Sequence, residues 1–505
     1  MLETTLAQLR FAASLVFGMR FSPRSLEQLV DSLRATQHEF GTIDSEGATL
    51  LGGPTLDEET RRAMQLRRFR TQAVRAARET AYYRRLFECL ALDPARLRYE
   101  DIAHLPLTPK EDLRADPDAF VCHTARPYVR ALTTGTTGWP TSILFSEYEL
   151  RVYCALTALS ALFSGDLEPE DIVQISTSTR GTLGNVCLAG ACAHLGAMVS
   201  LAGVVEPAHT LALLSEKRHL AGKKPHTSVL YTYPSYLGEL IECGLRLGYR
   251  PADFGLERIF VGGEVVTEGL KVRSQQLFGP ARVLEGGYGM TEIWPFGGRL
   301  CETGHLHFEV SQGLLEVYNF ETATPALSGE IGTIVATPFP PYRETTLVLR
   351  YDTGDVVRAP ATPLTCSLRH QPATSPLLGK LSLSVRHEQG WTYPRQLAEA
   401  LEALAAVPLP ARYGCWAVPG GVAVEVVVRD DSPHARRRIE TSLEEQGVPV
   451  RELHLLEDRR QLQHPMPLRG DLREQAFSPP VLDRTATNKA IVLQWQPEET
   501  RIGGQ

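Results

Sequence analysis

Apolar residues recur at three- and four-residue spacing through AQLRFAASLVF and LEQLVDSLRATQHEF, and again through EETRRAMQLRRFRTQAVRAARETAYYRRLFECLAL. One apolar stripe per 3.6-residue turn marks a helix with one buried face. Residues 1–110 are therefore predicted to be mostly helical, with a Gly-, Ser- and Thr-rich loop between Thr42 and Asp57. The arginines of the third run alternate with Glu and apolar residues, as a solvated helix face does. From Val129 to Val357 the pattern changes to short apolar runs, each followed by a helical stretch. DIVQIST precedes GNVCLAGACAHLGAMVS, HTSVLYTY precedes PSYLGELIECGL, and ERIFVGG precedes VTEGLKVRSQQLFG. Strand-then-helix alternation predicts an α/β domain with a parallel sheet. Around Gly379 the character shifts again. A helix (PRQLAEALEAL), Val-rich strands (YGCWAV, GVAVEVVVRD), a second helix (ARRRIETSLEEQ) and a strand (VRELHLLE) predict a small α+β domain. Asp458 to Asp483, rich in Pro, Arg and Gln, reads as an exposed excursion before a last strand, AIVLQW. The expected division is a helical N-terminal extension of the large domain over 1–110, the core of that domain over 111–378, and a small α+β domain over 379–505.

The 505 residues are 43% hydrophobic and 22% charged, which fits a folded globular chain and excludes disordered and fibrous classes. The net charge of −7 without a long basic run leaves no electrostatic footprint for nucleic acid or an anionic membrane. No apolar run approaches the ~18 residues of a spanning helix, and FAASLVFG lacks the cleavage pattern of a secretion signal. Nine cysteines, an odd count with no CxxC, point to reduced thiols and a cytoplasmic location.

The strongest local signal is Thr133-Thr134-Gly135-Thr136-Thr137-Gly138-Trp139-Pro140-Thr141. Glycines let the main chain approach a phosphate, and consecutive turn amides form a concave anion site; a polar hairpin turn is the plainer reading. The string lacks the Gly-Lys-Ser/Thr ending of a Walker loop. Its Thr-Gly-Thr-Thr-Gly-x-Pro order resembles the phosphate loop of the adenylate-forming superfamily, in its phenylacetate–CoA ligase-like branch. The resemblance covers Arg61 to Ala400 and extends to AYYRRLF…LPLTPKEDLRADP, VGGEVVTEGL, GGYGMTEI and LRYDTGDVVR, in the order that the branch has them.

Enzymes of this superfamily attack the α-phosphate of ATP with a substrate oxyanion, release pyrophosphate and leave a mixed anhydride with AMP. The resemblance implies that Thr133 to Gly138 hold the β- and γ-phosphates, that Thr291 binds the α-phosphate and that Glu292 ligates Mg2+. It implies further that Tyr288 faces the adenine with Gly262, Gly263 and Glu264 on its other side, and that Asp355 accepts the ribose hydroxyls. Lys489 corresponds to the lysine that bridges the nascent acyl phosphate. Taken alone, Glu292 could be a carboxylate at a helix N-terminus, Asp355 a plain turn residue and Lys489 a surface lysine.

The chain also departs from the pattern. Trp139 stands where the loop usually has a lysine, which leaves Arg151 or another base to supply that charge. The family's Gly-Arg-x-Asp hinge is Gly379-Lys380-Leu381-Ser382, so Lys380 keeps the charge without the guanidinium fork, and the transfer to CoA becomes less certain than the adenylation. A structural zinc is suggested by Cys301, His307 and Cys366. A fourth ligand is lacking, with Ser367 and His370 nearby, so the residues favour an ordinary buried cysteine. Tyr231, Tyr233, Tyr236, Trp294 and Phe296 are expected as aromatic walls of an acid pocket, although packing around a core helix would account for any single tyrosine.

The expected function is ATP- and Mg2+-dependent adenylation of an aromatic acid followed by transfer to CoA. The alternative keeps the adenylation site and uses a nitrogen acceptor, as in an ATP-dependent diazotase of secondary metabolism joining nitrite to an aryl amine, or an amide synthetase. A third reading is a nucleotide-binding scaffold without chemistry. The expected partners are a small-molecule aromatic acid or aryl amine and a second copy of the chain in a homodimer, with no nucleic acid and no membrane.

Overall fold

The computed structural model describes residues 2–40, 56–133, 140–178, 182–361 and 364–473. The N-terminal part is helical, as its periodicity predicts: α1 (Leu2–Phe17), α2 (Pro23–Phe40), α3 (Glu58–Glu79), α4 (Ala81–Leu90), α5 (Tyr99–Ile102) and α6 (Lys110–Ala115). Asp57 caps α3 through Thr60 N at 2.8 Å, satisfying a main-chain donor that the helix leaves open. Phe69, Ala73 and Ala76 on α3 and Tyr83, Leu86 and Phe87 on α4 enter the main core. The arginine face is not all solvated. Arg62 and Arg67 are exposed, but Arg68 is buried and donates to the carbonyls of Leu15 and Ser311.

A hairpin of β1 (Pro127–Leu132) and β2 (Ser142–Ser146) leads into α7 (Glu147–Ser164). Five strands follow, β3 (Ile172–Ser176), β4 (Met198–Leu201), β5 (Val229–Thr232), β6 (Arg258–Val261) and β7 (Arg282–Glu285). They form a wholly parallel sheet in the order β4-β3-β5-β6-β7. Between them run α8 (Leu183–Leu195), α9 (Pro207–Ser215), α10 (Pro234–Leu247) and α11 (Glu268–Phe278). Period-2 alternation splits the strand residues between two cores. Val173, Ile175, Val229 and Phe260 pack with α7 and α8, whereas Leu230, Ile259 and Val261 pack with α9, α10 and α11. The chain winds one way from β3 to β4 and the other way from β5 on, so the carboxyl ends of β3 and β5 flank a topological switch point, the usual place for a ligand crevice.

Next come β8 (Gly298–Leu300), β9 (Leu306–Phe308), β10 (Gly313–Asn319), β11 (Thr324–Pro325), β12 (Ile331–Pro338), β13 (Tyr351–Arg358), β14 (Ala373–Thr374) and β15 (Gly379–Lys380). They make a sheet β11-β10-β12-β13-β15 and a small one, β14-β9-β8. Gly379 and Lys380, where the small domain is expected to begin, pair with Val356 and Asp355 of β13. The small domain holds β16 (Val385–His387), β17 (Gly390–Thr392), α12 (Pro394–Glu402), β18 (Tyr413–Val418), β19 (Gly421–Val427), α13 (Pro433–Glu445) and β20 (Val450–Leu456), around a core of its own. Among the described residues no helix is long and apolar enough to cross a membrane.

Two contacts dock the small domain onto the segment between β6 and α11. Glu399 and Glu402, one turn apart on α12, accept from Glu268 N at 3.1 Å and from the Thr267 hydroxyl at 2.5 Å, so two carboxylates meet the N-terminus of α11. Farther along, Arg469 N–H donates to Glu264 Oε1 at 2.5 Å, and Gly470 N–H to Ser235 Oγ at 2.9 Å. The excursion after β20 is thus not a free loop over its described part, 458–473. The strand expected in AIVLQW and the candidate Lys489 lie outside the described residues.

Candidate active site

Thr133 follows β1, its N–H donates to Thr141 O at 3.0 Å, and Thr141 N–H returns to the Thr133 hydroxyl at 2.9 Å. This staple closes the hairpin from which the expected phosphate loop springs. Thr134, Gly135, Thr136, Thr137 and Gly138 lie outside the described residues, as does Trp139. Arg151, considered as the loop's replacement base, is held by Glu27 in a two-oxygen pair at 2.8–3.0 Å and is not spare.

Glu292 lies in the turn after β7, 1% exposed. Lys110 Nζ donates to its Oε1 at 2.9 Å and Tyr351 OH to the same oxygen at 3.3 Å. Burial opposes the charge on this carboxylate, but Lys110, supported by Lys380, outweighs it and holds the group below the ordinary glutamate range. Lys110 reaches it because the chain before α6 is fixed to β13. Thr108 N–H donates to Arg350 O at 2.9 Å, Asp352 N–H donates to Thr108 O at 3.0 Å, and Arg350 grips the carbonyls of Ala103 and Leu105. Arg350 holds a left-handed φ of +45° and an ion pair with Glu316 at 3.0 Å. A non-glycine residue adopts that region at a cost, and here its buried guanidinium pins it.

Asp355, also buried, accepts from Tyr288 OH at 2.9 Å and pairs with Lys380 Nζ at 2.8 Å. Lys380 in addition donates to Thr353 O at 2.9 Å. Burial pushes the Tyr288 and Tyr351 phenols well above their ordinary value, so both stay protonated donors at neutral pH. Tyr288 is held by paired main-chain bonds with Gly298, at 2.7 and 2.9 Å. The same two tyrosines feel both Glu292 and Asp355, which places the two carboxylates in one electrostatic neighbourhood. Thr291, half-buried, precedes Glu292 on that turn. Gly262 and Gly263 follow β6, Gly263 with φ +84°. Glu264 is occupied, accepting from Ser235 N at 2.9 Å and from Arg469 N.

The expected aromatic wall is not one wall. Tyr231 stacks on Phe260 with centroids 4.5 Å apart, on the α7–α8 side of the sheet. Tyr236 is fully buried on the opposite side, its hydroxyl bonded to Val205 O at 2.7 Å and to the Thr210 hydroxyl at 2.8 Å, as a core residue. Tyr233, at the switch point, accepts from Ser178 N at 3.1 Å and is the one of the three at the crevice. Trp294 is half-buried against Gly289, and Phe296 is wholly buried against Phe308 and Gly313.

At the β8–β9 hairpin, Cys301, His305, His307 and Cys366 bring one ligand atom each to within 4.8 Å of one another. Cys366 Sγ is 3.2 Å from His307 Nε2, and Cys301 Sγ is 3.9 Å from His305 Nδ1. A tetrahedral zinc with bonds of ~2.0–2.3 Å needs ligand separations of roughly 3.3–3.8 Å, so this two-Cys, two-His set fits the ion with little movement. The fourth atom of this set comes from His305, four residues after Cys301, rather than from Ser367 or His370. A second acidic group, Glu168, Asp171 and Glu257, holds the Lys224 ammonium at 2.8–3.0 Å from all three, and so is an ion-pair network.

Two separate motifs thus bring Glu292, Tyr288 and Asp355 into one buried neighbourhood. No family model matches the chain. It is 26% identical over 367 residues to the phenylacetate–coenzyme A ligase of Thermus thermophilus, covering 70% of this chain and 78% of that one. It is 24% identical over 308 residues to the ligase of the same name from Aromatoleum evansii, covering 59% and 66%. Among solved structures it resembles 2-hydroxyisobutyryl-CoA ligase in the postadenylation state with its acyl-AMP, with a TM-score of 0.65 at 19% identity over 79% of this chain and 86% of that one. The chain is thus similar in sequence to phenylacetate–coenzyme A ligases and shares the fold of 2-hydroxyisobutyryl-CoA ligase.

Proposed function

We propose that this protein activates an aromatic acid with ATP, forming an acyl-AMP and pyrophosphate, and then passes the acyl group to CoA. The observation that carries the reading is the pairing of Glu292 and Asp355 in one buried neighbourhood, each already served by a lysine and a tyrosine. Asp355, with two acceptor oxygens, suits a pair of ribose hydroxyls, and Tyr288 beside it offers a face to a base. Both contacts on Glu292 fall on Oε1, which leaves Oε2 for a hard cation. One carboxylate plus phosphate oxygens is the donor set Mg2+ prefers, and bound there the ion would draw charge from a phosphoryl oxygen.

The residues of the chain itself supply position and charge. Lys110 keeps Glu292 ionised, Lys380 and Tyr288 orient Asp355, and Thr291 lies next to the metal carboxylate, where an α-phosphate oxygen would take its hydroxyl. Lys489 is assigned the bridge between the attacking carboxylate and that phosphate. Holding both reactants in place and meeting the growing charge with fixed cations are the main means by which such a transfer is accelerated. The Cys301–His305–His307–Cys366 set is assigned a structural zinc, which would lock the β8–β9 hairpin that carries Gly298 and hence Tyr288.

Pyrophosphate release with a panel of aryl acids, with and without CoA, tests this reading. If none of the acids elicits release, the carboxylate part is overturned. The same assay with nitrite and an aminoaryl acid in place of CoA distinguishes a nitrogen acceptor.

A further inference from the structure

Arg469 belongs to the excursion after β20, and its main chain is fastened firmly. Its own N–H goes to Glu264, the N–H of Gly470 goes to Ser235, and Asp471 pairs with Arg412, which reaches Glu239 on α10 at 2.7 Å. None of these bonds uses the Arg469 side chain. Its guanidinium carbon lies 5.4 Å from the centroid of the Tyr233 ring, and a Cβ added at Gly263 would stand only 3.3 Å from it. Among the described residues this half-exposed cation meets no carboxylate.

Its neighbours fix what it faces. Tyr233 follows β5 and its hydroxyl bonds Ser178 beyond β3, while Gly263 follows β6. The guanidinium therefore stands over the carboxyl ends of β5 and β6, beside the β3–β5 switch point. Gly286 N–H donates to Val261 O at 2.9 Å, which brings the segment carrying Tyr288 to the same edge. A glycine at 263 keeps the space that this side chain occupies.

We propose that Arg469 is a ligand-binding residue of the crevice, and that it holds an oxyanion of one of the substrates through its guanidinium fork. The proposal rests on the ligase reading above. A planar, always charged fork on a tethered main chain is suited to two parallel hydrogen bonds with a phosphate or a carboxylate. The shared chemistry is the oxyanion; its sources are the triphosphate of ATP, the carboxylate of the acid and the phosphates of CoA. Because Arg469 comes from the small domain, the contact exists only while that domain is docked.

Arg469→Ala and Arg469→Lys in the full chain test this, since both leave the main-chain tethers in place. Calorimetric titrations with ATP, with the aryl acid and with CoA form three arms, read beside the thermal midpoint. Loss of a charge-assisted hydrogen bond should weaken one arm in the alanine variant by roughly tenfold or more. The lysine variant should recover part of that, the other arms and the midpoint should be unchanged, and the arm that moves names the oxyanion. Three unchanged affinities with normal pyrophosphate release would overturn the proposal and leave the ligase reading standing. A uniform weakening with a lowered midpoint would overturn it too, making the side chain a strut against Tyr233. A wild-type protein that binds no ATP and releases no pyrophosphate would remove the ligase reading, and this one with it.

Discussion

Lys110 and Glu292 are 182 residues apart in the chain and 2.9 Å apart in the fold, with the carboxylate wholly buried and the ammonium partly so. The pair joins the N-terminal helical part to the turn that follows the parallel sheet. It keeps ionised the carboxylate to which the proposed function assigns Mg2+.

Glu292→Gln should abolish pyrophosphate release by a hundredfold or more, since metal polarisation is worth several kcal/mol and ~1.4 kcal/mol is tenfold in rate. Lys110→Met leaves a buried carboxylate without its partner and should cost about 3–5 kcal/mol of stability. Adding Glu292→Gln to Lys110→Met should restore much of the thermal midpoint, because the second change removes the uncompensated charge. A double-mutant cycle by denaturant titration measures the coupling, and simple additivity of the two losses would deny that the ion pair matters.

Asp355→Asn should weaken ATP binding by roughly ten- to a hundredfold, the worth of one or two hydrogen bonds to a charged acceptor. Tyr288→Phe should weaken it less, since the carboxylate keeps its lysine. Direct ATP titration of both variants ranks the two, and the reverse order would shift the ribose contact away from Asp355.

The purified protein should carry about one zinc per chain by elemental analysis. Chelation should lower the thermal midpoint, as removal of a structural zinc removes folding free energy. His305→Ala should release the metal and His370→Ala should not. Retention by the His305 variant would return the site to three ligands.

Glu402 carries a pH dependence. Burial pushes its carboxyl up to about 7, against which hydrogen bonds from Thr267 and Ala411 pull only partly. The folded state therefore binds a proton more tightly than the unfolded chain, where the group titrates near the ordinary glutamate value. Stability from this site is full below pH ~4.5 and falls as pH rises to about 7, by up to about 3 kcal/mol. Since Glu402 meets Thr267 across the domain boundary, docking should loosen over that window. Glu402→Gln should flatten the midpoint-versus-pH curve between pH 5 and 8; a curve as steep as the wild type's would place the titration elsewhere.

The fold was legible where the information is local. Apolar runs and helical stretches marked β3, β5 and β6 with the helices that follow them, and motif order marked Glu292, Tyr288 and Asp355. What was missed depended on distance in the chain or on strand ends. Lys110 sat in TPKEDLR with no sign of its partner, because tertiary contact and not spacing joins them. Tyr231 and Tyr233 have strand spacing and would share a face, but β5 ends at Thr232 and Tyr233 starts α10, which sends it the other way. His305 was in plain view in Cys-Glu-Thr-Gly-His-Leu-His. Only the hairpin turn at Gly304, with φ +82°, folds it back beside Cys301.

Under the ligase reading, the Lys380–Asp355 contact makes the carboxylate proposed for the ribose and the interdomain junction share one cation. A nucleotide that takes both oxygens of Asp355 competes with that lysine for Oδ2, and a junction that swings Lys380 away leaves the carboxylate with Tyr288 alone. Affinity for nucleotide and the resting angle of the small domain are then linked quantities: whatever factor one imposes on the other is returned in equal measure. On that reading, a chain with Ser382 in place of a hinge carboxylate has, two residues earlier, a means of sensing whether its nucleotide has been spent.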